Sequence, residues 1–281
     1  MTSAHPADYN SYLHNTSAVY SDYLKAFTTG IGQLLCRYIH RGDIIIFSML
    51  VLQAIALSKQ YNNVTALSNL NISVEKGEVF CLLGQNGAGK TTTINIFLGF
   101  LEATSGKALI NGAEVHLNDE WTKKYIAYIP EVVQLYPNLT GIENLDFFSK
   151  MAGFSYSKEQ LTEFLKRTSL QESAHHKRLS AYSKGMRQKV AIAIAIAKDA
   201  DVILMDEPTS GLDPKATAEF TRICKEFVAQ GKTIVMATHD IFNAVNVGTR
   251  IGIMKQGSLV HTIDAKSVTA SELQKIYLET I

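Results

Sequence analysis

Cysteine is scarce in this chain: Cys36, Cys81 and Cys224 are the three among 281 residues. They are far apart, odd in number and form no CxxC, which favours reduced, buried thiols in a cytosolic protein over a disulfide framework. Net charge is almost absent, with 27 basic against 26 acidic side chains and a balance of +1. A protein that lives on the DNA backbone needs a basic excess, so that class is disfavoured. Long apolar runs are missing too. The longest, Ile44–Leu57, is 14 residues and is broken by Ser48 and Gln53; a membrane-spanning helix needs about 20. It reads as a buried strand pair or an interfacial segment, and it starts too deep in the chain for a signal peptide. No internal repeat and no sustained heptad pattern is visible.

Apolar residues, in contrast, are plentiful. At 46% hydrophobic and 19% charged the chain can bury a real core, which excludes a disordered or collagen-like class. Mean hydropathy of +0.03 is slightly high and is accounted for by short buried strands and an Ile/Ala-rich helix. Residues 1–48 differ from the rest. They hold Tyr9, Tyr12, Tyr20, Tyr23 and Tyr38, their charges cancel, and most of the segment is expected to be poorly structured or weakly helical. Residues 1–48 are thus expected to be a dispensable extension, or an artefact of start-site choice, ahead of one domain over 49–281.

From Met49 the pattern sharpens. Leu50–Leu57 predicts a strand, Lys59–Asn63 a turn, and Ala66–Val74 a second strand. Val79–Leu83 is a continuous apolar run, as in a strand buried on both faces. The middle of the chain is helical: Thr140-Gly-Ile-Glu143 and Ser157-Lys-Glu-Gln160 each read as a capping box opening an amphipathic run. Val202–Met205 and Thr233–Ala237 read as central parallel strands, with helices over Gln188–Lys198 and Pro214–Gln230. The expected fold is α/β: a phosphate-loop NTPase core with a mixed sheet, carrying a helical subdomain at about 136–197.

Gly84-Gln85-Asn86-Gly87-Ala88-Gly89-Lys90-Thr91-Thr92 carries the strongest chemistry. It contains G-x4-G-K-[ST], placed between a predicted buried strand and a helix. The glycines let backbone N–H groups converge on phosphate oxygens, and the following helix presents its positive end to the same anion. Lys90 reaches the β- and γ-phosphates, and Thr91 offers a hydroxyl to Mg²⁺. The second signal is Val202–Pro208, a buried strand ending in Asp206 and Glu207. In a phosphate-loop enzyme Asp206 holds Mg²⁺ through its water shell and Glu207 orients the attacking water. Adjacent strand residues point differently, which suits two roles.

With these two motifs in place, the chain from about residue 49 to the C-terminus resembles the ATP-binding subunit of ABC transporters. The resemblance implies several further roles. Tyr61, upstream of the phosphate loop, would stack on adenine. Ser183-Lys184-Gly185-Met186-Arg187-Gln188 stands where the family signature, ideally S-G-G-Q, opens a helix and binds the γ-phosphate of a partner copy. Ser183 and Gly185 match; Lys184 and Met186 depart. Ser210-Gly211-Leu212-Asp213 resembles the family's D-loop at the dimer interface. His239 takes the place of the switch histidine, touching the γ-phosphate and helping to hold Glu207. Glu131 stands where many members have a Mg²⁺-contacting Gln; Gln134 fits that spacing less well.

The implied function is hydrolysis of ATP with Mg²⁺ to power a transporter, an exporter by the likeness of the signature and of Glu131. The partners would be a second copy of the chain and an integral membrane permease contacted around Glu131–Gly153, with no nucleic acid. The location would be peripheral, on the cytoplasmic face of the membrane. The alternative is a non-transport ATPase of the same family, clamping nucleic acid or ribosomes; such chains usually carry two phosphate loops or a long coiled coil, and this one has neither. His175-His176 reads as a solvated helix end rather than a metal site. Trp121 and the Ile/Ala positions of Val190–Ala197 read as core or subdomain packing.

Overall fold

The computed structural model describes the backbone of residues 36–41, 44–118 and 120–281, and the side chains of these from Met49 onward. In chain order the elements are β1 (Cys36–Arg41), β2 (Ile44–Tyr61), β3 (Val64–Glu75), β4 (Val79–Leu83), α1 (Lys90–Phe97), β5 (Ser105–Ile110), β6 (Ala113–Glu114), α2 (Glu120–Lys123) and β7 (Ile126–Ile129). Then come α3 (Gly141–Met151), α4 (Lys158–Arg167), α5 (Glu172–His175), α6 (Lys184–Lys198), β8 (Val202–Asp206), α7 (Pro214–Ala229), β9 (Thr233–Thr238), α8 (Ile241–Val247), β10 (Arg250–Lys255), β11 (Ser258–Asp264) and α9 (Ala270–Thr280).

Two sheets form. The larger has the order β11-β10-β4-β9-β8-β7; its strands are parallel except for the antiparallel edge β11. This is the mixed sheet expected of the fold. The smaller sheet is antiparallel and built around β2, which pairs with β1, β3 and β5.

Alternation along β4 sorts its side chains between two cores. Phe80 and Leu82 point toward the small sheet and meet Leu52, Ile72 and Ile110, with Ile94 and Phe97 of α1 between the sheets. Val79, Cys81 and Leu83 point the other way, onto Phe227 of α7, Val247 of α8 and Leu273 of α9. Helices α3, α4 and α6 enclose a third core of their own, with Leu145, Leu165 and Val190 at its centre. Both predicted capping boxes are present, at Thr140–Glu143 and Ser157–Gln160.

Some expectations need correction. Strand β2 starts at Ile44 rather than Leu50 and runs through Lys59, Gln60 and Tyr61, which were expected in the turn. Only Asn62 and Asn63 turn, with Asn62 at φ 50°. The strand is long because it is paired along its whole length, first to β1 and then to β3 and β5. Hence residues 36–41 and 44–48, expected to be poorly ordered, carry strand backbone; residues 1–35 and 42–43 lie outside the described residues.

His175 is not a solvated helix end. It is 2% exposed, and its Nε2 lies 3.0 Å from the Leu170 carbonyl oxygen; the short α5 turns it inward while His176 stays exposed. Trp121 is 58% exposed rather than core, with the Lys124 ammonium 3.3 Å over its ring centroid; Thr122 takes the buried side of α2. Cys81 and Cys224 are buried free thiols, as expected; burial pushes Cys81 up to about 12.

Candidate active site

The carboxyl ends of four neighbouring parallel strands, β4, β9, β8 and β7, converge, which is where open α/β sheets bind ligands. Gly84 N–H donates to the Thr238 carbonyl (3.3 Å) and Glu207 N–H to the Ala237 carbonyl (2.9 Å), so the loops leaving these strands are tied together at their roots.

The phosphate loop follows β4 directly. Gly89 has φ 103° and caps α1, a conformation that L side chains avoid. A Cβ there would come within 2.7 Å of the Ala66 carbonyl and of Leu67. The Gly89 carbonyl accepts both the backbone N–H (2.9 Å) and the hydroxyl (3.0 Å) of Thr93, which fixes the entry to the helix. Gln85, Asn86 and Gly87 are the exposed rim, and Ala88 is buried beneath them. Lys90 is 5% exposed. Its ammonium donates to the Gly84 carbonyl (2.6 Å) and the Gln85 carbonyl (3.3 Å), and lies 3.5 Å from Glu207 Oε1. Thr91 is exposed and Thr92 half-buried on the first turn.

Asp206 closes β8, and Glu207 follows with φ 44°. A side-chain-bearing residue in this region costs roughly 1–2 kcal/mol, so the surroundings must hold it there. The Glu207 carbonyl accepts from Ser210 N–H (3.1 Å), and its Oε2 accepts from His239 N–H (3.3 Å) and lies 2.8 Å from His239 Nδ1. His239 is exposed on one side, whereas Glu207 is 11% exposed. The two carboxylates thus meet different neighbours, Glu207 through its turn out of the strand: Glu207 faces Lys90 and His239, while the Thr91 side chain acts on Asp206.

Burial, above all, pushes the Asp206 carboxyl up, and the Glu207 and Glu131 charges add to this, while the Thr91 hydrogen bond and Lys90 pull it down. Burial first, and then the Asp206 and Glu131 charges, push the Tyr128 phenol up to about 12.

Asp206 Oδ1 is buried without a hydrogen-bond partner. An orphaned carboxylate oxygen beside a threonine hydroxyl and a second carboxylate is an all-oxygen donor set, which fits a hard divalent cation such as Mg²⁺. Glu131, exposed at the end of β7, accepts from the Ser210 hydroxyl (3.3 Å).

The other predicted residues lie in two further places. Ser183 caps α6, accepting from Met186 N–H at 3.3 Å. Gly185 follows on its first turn, and a Cβ there would meet Leu212 and Ala216 only at ordinary contact distance. The Lys184 ammonium lies beside Gly211, so the signature and the Ser210–Asp213 loop of one chain touch. Asp213 caps α7, accepting from Ala216 N–H at 2.8 Å. Tyr61 stands at the far end of β2, 45% exposed, with the Lys59 ammonium 5.1 Å from its ring centroid.

Sequence reasoning missed Thr209 and Asn243. Asn243 Nδ2 donates to Thr209 Oγ1 at 3.0 Å, with both side chains buried. The signal was an inversion within α8: Asn243 is 2% exposed, whereas its neighbour Phe242 is 65% exposed.

The family model described as ABC transporter matches residues 67–210, half of the chain. The linearmycin resistance ATP-binding protein LnrL of Bacillus subtilis is 33% identical over 225 residues, spanning 79% of this chain and 72% of that protein. The probable multidrug ABC transporter ATP-binding protein YbhF of Escherichia coli is 32% identical over 80% of this chain but only 39% of its own length. The dimeric ATP-binding cassette MJ0796, in a post-hydrolysis state with ADP and Pi, superposes with a TM-score of 0.70 at 29% identity, covering 76% of this chain and 98% of that one. The chain belongs to the ABC transporter family, as an ATPase cassette.

Proposed function

We propose that this cassette hydrolyses ATP with Mg²⁺ to drive export through a separate membrane permease, from the cytoplasmic face of the membrane. The observation that carries the reading is the convergence of Gly84–Thr91, Asp206, Glu207 and His239 at the ends of adjacent parallel strands, with Asp206 Oδ1 left unpaired. Magnesium, when bound, supplies charge that offsets the β- and γ-phosphates. Thr91 and Asp206 would hold it, with Glu131 alongside. Backbone N–H groups of residues 84–91 cradle the phosphates, and Lys90 exchanges its loop carbonyls for phosphate oxygens. Glu207 accepts a proton from, and orients, the attacking water; His239 fixes the carboxylate through Oε2. Tyr61 stacks on adenine.

Two copies would close over two nucleotides, each site completed by Ser183, Gly185 and the Asp213 loop of the partner copy. The dimeric state of the MJ0796 cassette supports this arrangement. Val132, Tyr136, Phe147 and Met151 form an exposed apolar and aromatic surface beside Glu131. A surface of this kind suits an apolar partner and supports docking of a permease there. The names of the relatives LnrL, a linearmycin resistance ATP-binding protein, and YbhF, a probable multidrug transporter ATP-binding protein, support the export direction.

The test is Glu207→Gln. The variant is expected to bind ATP as the wild type does and to lose at least a hundred-fold in turnover, a loss on the scale of a general base. Wild-type turnover in Glu207→Gln would refute the assignment. Lys90→Ala is expected to lose nucleotide affinity, read by calorimetry.

A further inference from the structure

We infer that Asn243 is a positioning residue that sets the Glu207–His239 contact by tying together the two loops that carry them. The inference rests on the reading that Glu207 and His239 act as a pair.

The loop after β8 must hold Glu207 at a positive φ, and such a residue stays in place only when its surroundings over-determine it. Two backbone bonds contribute, from Glu207 N–H to Ala237 and from Ser210 N–H to Glu207. Two residues on, Thr209 is buried, and its hydroxyl accepts from Asn243. Asn243 belongs to the other loop: it lies four residues past His239, on the first turn of α8. Its own N–H donates to Asp240 Oδ1 at 3.0 Å, which fixes the turn that follows the histidine. One side-chain bond therefore joins the segment carrying Glu207 to the segment carrying His239. That bond is buried, whereas the 2.8 Å contact between the two side chains includes the exposed His239.

The chemistry at Asn243 is unusual for a residue kept only for stability. Its Oδ1 is buried with no hydrogen-bond partner, and Met236 Sδ, 3.9 Å from Nδ2, is a weak second acceptor. A buried amide that satisfies only part of its capacity costs stability relative to an apolar side chain of the same shape. It is retained here where α8 otherwise faces inward with Ala244 and Val247, while Phe242 faces out. Turning the amide over would exchange donor and acceptor but keep one bond to the hydroxyl, because a hydroxyl does both.

The experiment measures ATPase kinetics, ATP-binding stoichiometry and melting temperature of the full chain. The variants are Asn243→Leu, Thr209→Val, Thr209→Ser, the Leu/Val double variant and Glu207→Gln. Asn243→Leu and Thr209→Val are each expected to lower kcat about ten-fold, with the KM for ATP and the binding stoichiometry within two-fold of wild type. The double variant should fall no further than either single one, since both remove the same bond. Thr209→Ser keeps the hydroxyl and should keep the rate. Wild-type kcat in Thr209→Val and Asn243→Leu, alongside an inactive Glu207→Gln, overturns this inference alone. Activity in Glu207→Gln overturns it together with the reading it rests on. Should Asn243→Leu fold poorly, the Thr209→Val against Thr209→Ser comparison decides by itself: equal kcat overturns the inference.

Discussion

Asp206 and Glu207 are neighbours in sequence yet meet opposite demands. Asp206 is buried against Thr91 with its carboxyl pushed up, first by burial and then by neighbouring negative charge. A carboxyl raised in the folded state binds more protons folded than unfolded. Its contribution to stability is therefore complete below the unfolded value and is lost as pH rises through the folded one. The nucleotide-free protein is expected to lose melting temperature across that window. Asp206→Asn should remove this part of the pH dependence and raise the melting temperature on its alkaline side, as scanning calorimetry at several pH values would show. Mg²⁺ runs the opposite way: its stabilising effect should grow with pH, because the cation needs the ionised form that the empty site disfavours. Residues such as Asp206 were legible because phosphate chemistry demands specific side chains at short, fixed spacings. Asn243 was not, since its partner Thr209 is 34 residues away and only the folded chain brings them together. His175 and Trp121 were misread for a related reason: the turn of a one-turn helix, here α5 and α2, is set by what it lands on, and periodicity has no purchase over four residues.

At the scale of elements, helix starts marked by a capping box were read well, whereas the helix expected from Gln188 starts at Lys184, and strand ends were read poorly. A capping box is a local hydrogen-bond exchange among four residues, so Thr140–Glu143 and Ser157–Gln160 are visible in sequence and present in the structure. Strand length depends on partners: Lys59, Gln60 and Tyr61 are strand because β3 pairs with them, and nothing local says so. The caps yield a stability prediction. Thr140→Ala removes the hydroxyl that accepts from Glu143 N–H and should cost about 1 kcal/mol. Leu145→Ala, from the centre of the helical core, should cost roughly 2–5 kcal/mol. Chemical denaturation would separate the two. The Thr140 cap should shift the midpoint modestly, while the Leu145 cavity should selectively expose the α3–α6 region to proteolysis.

Among the described residues, two sheets and a helical lobe surround the carboxyl ends of the parallel strands, with the signature and the phosphate loop on different elements. In the proposed dimer these complete one another's sites, and Gly185 offers a clean test. A side chain there meets Leu212 and Ala216 only at ordinary contact distance, so the monomer should tolerate it. Gly185→Asp, placed in the Glu207→Gln background, is expected to keep ATP binding and melting temperature but to abolish the ATP-dependent dimer. Light scattering would show monomer mass where Glu207→Gln alone gives twice that mass. Residues 1–48 belong to this scale as well. A chain starting at Met49 keeps every pairing of β2 with β3 and β5, and is expected to retain ATP binding. Finally, the left-handed backbone of Glu207 has a consequence for engineering. Asn and Gly occupy that conformation more readily than Glu, so selection for heat resistance alone should draw substitutions to this position. The variants recovered would be sturdier proteins that no longer turn over, a trade between durability and work fixed at one residue.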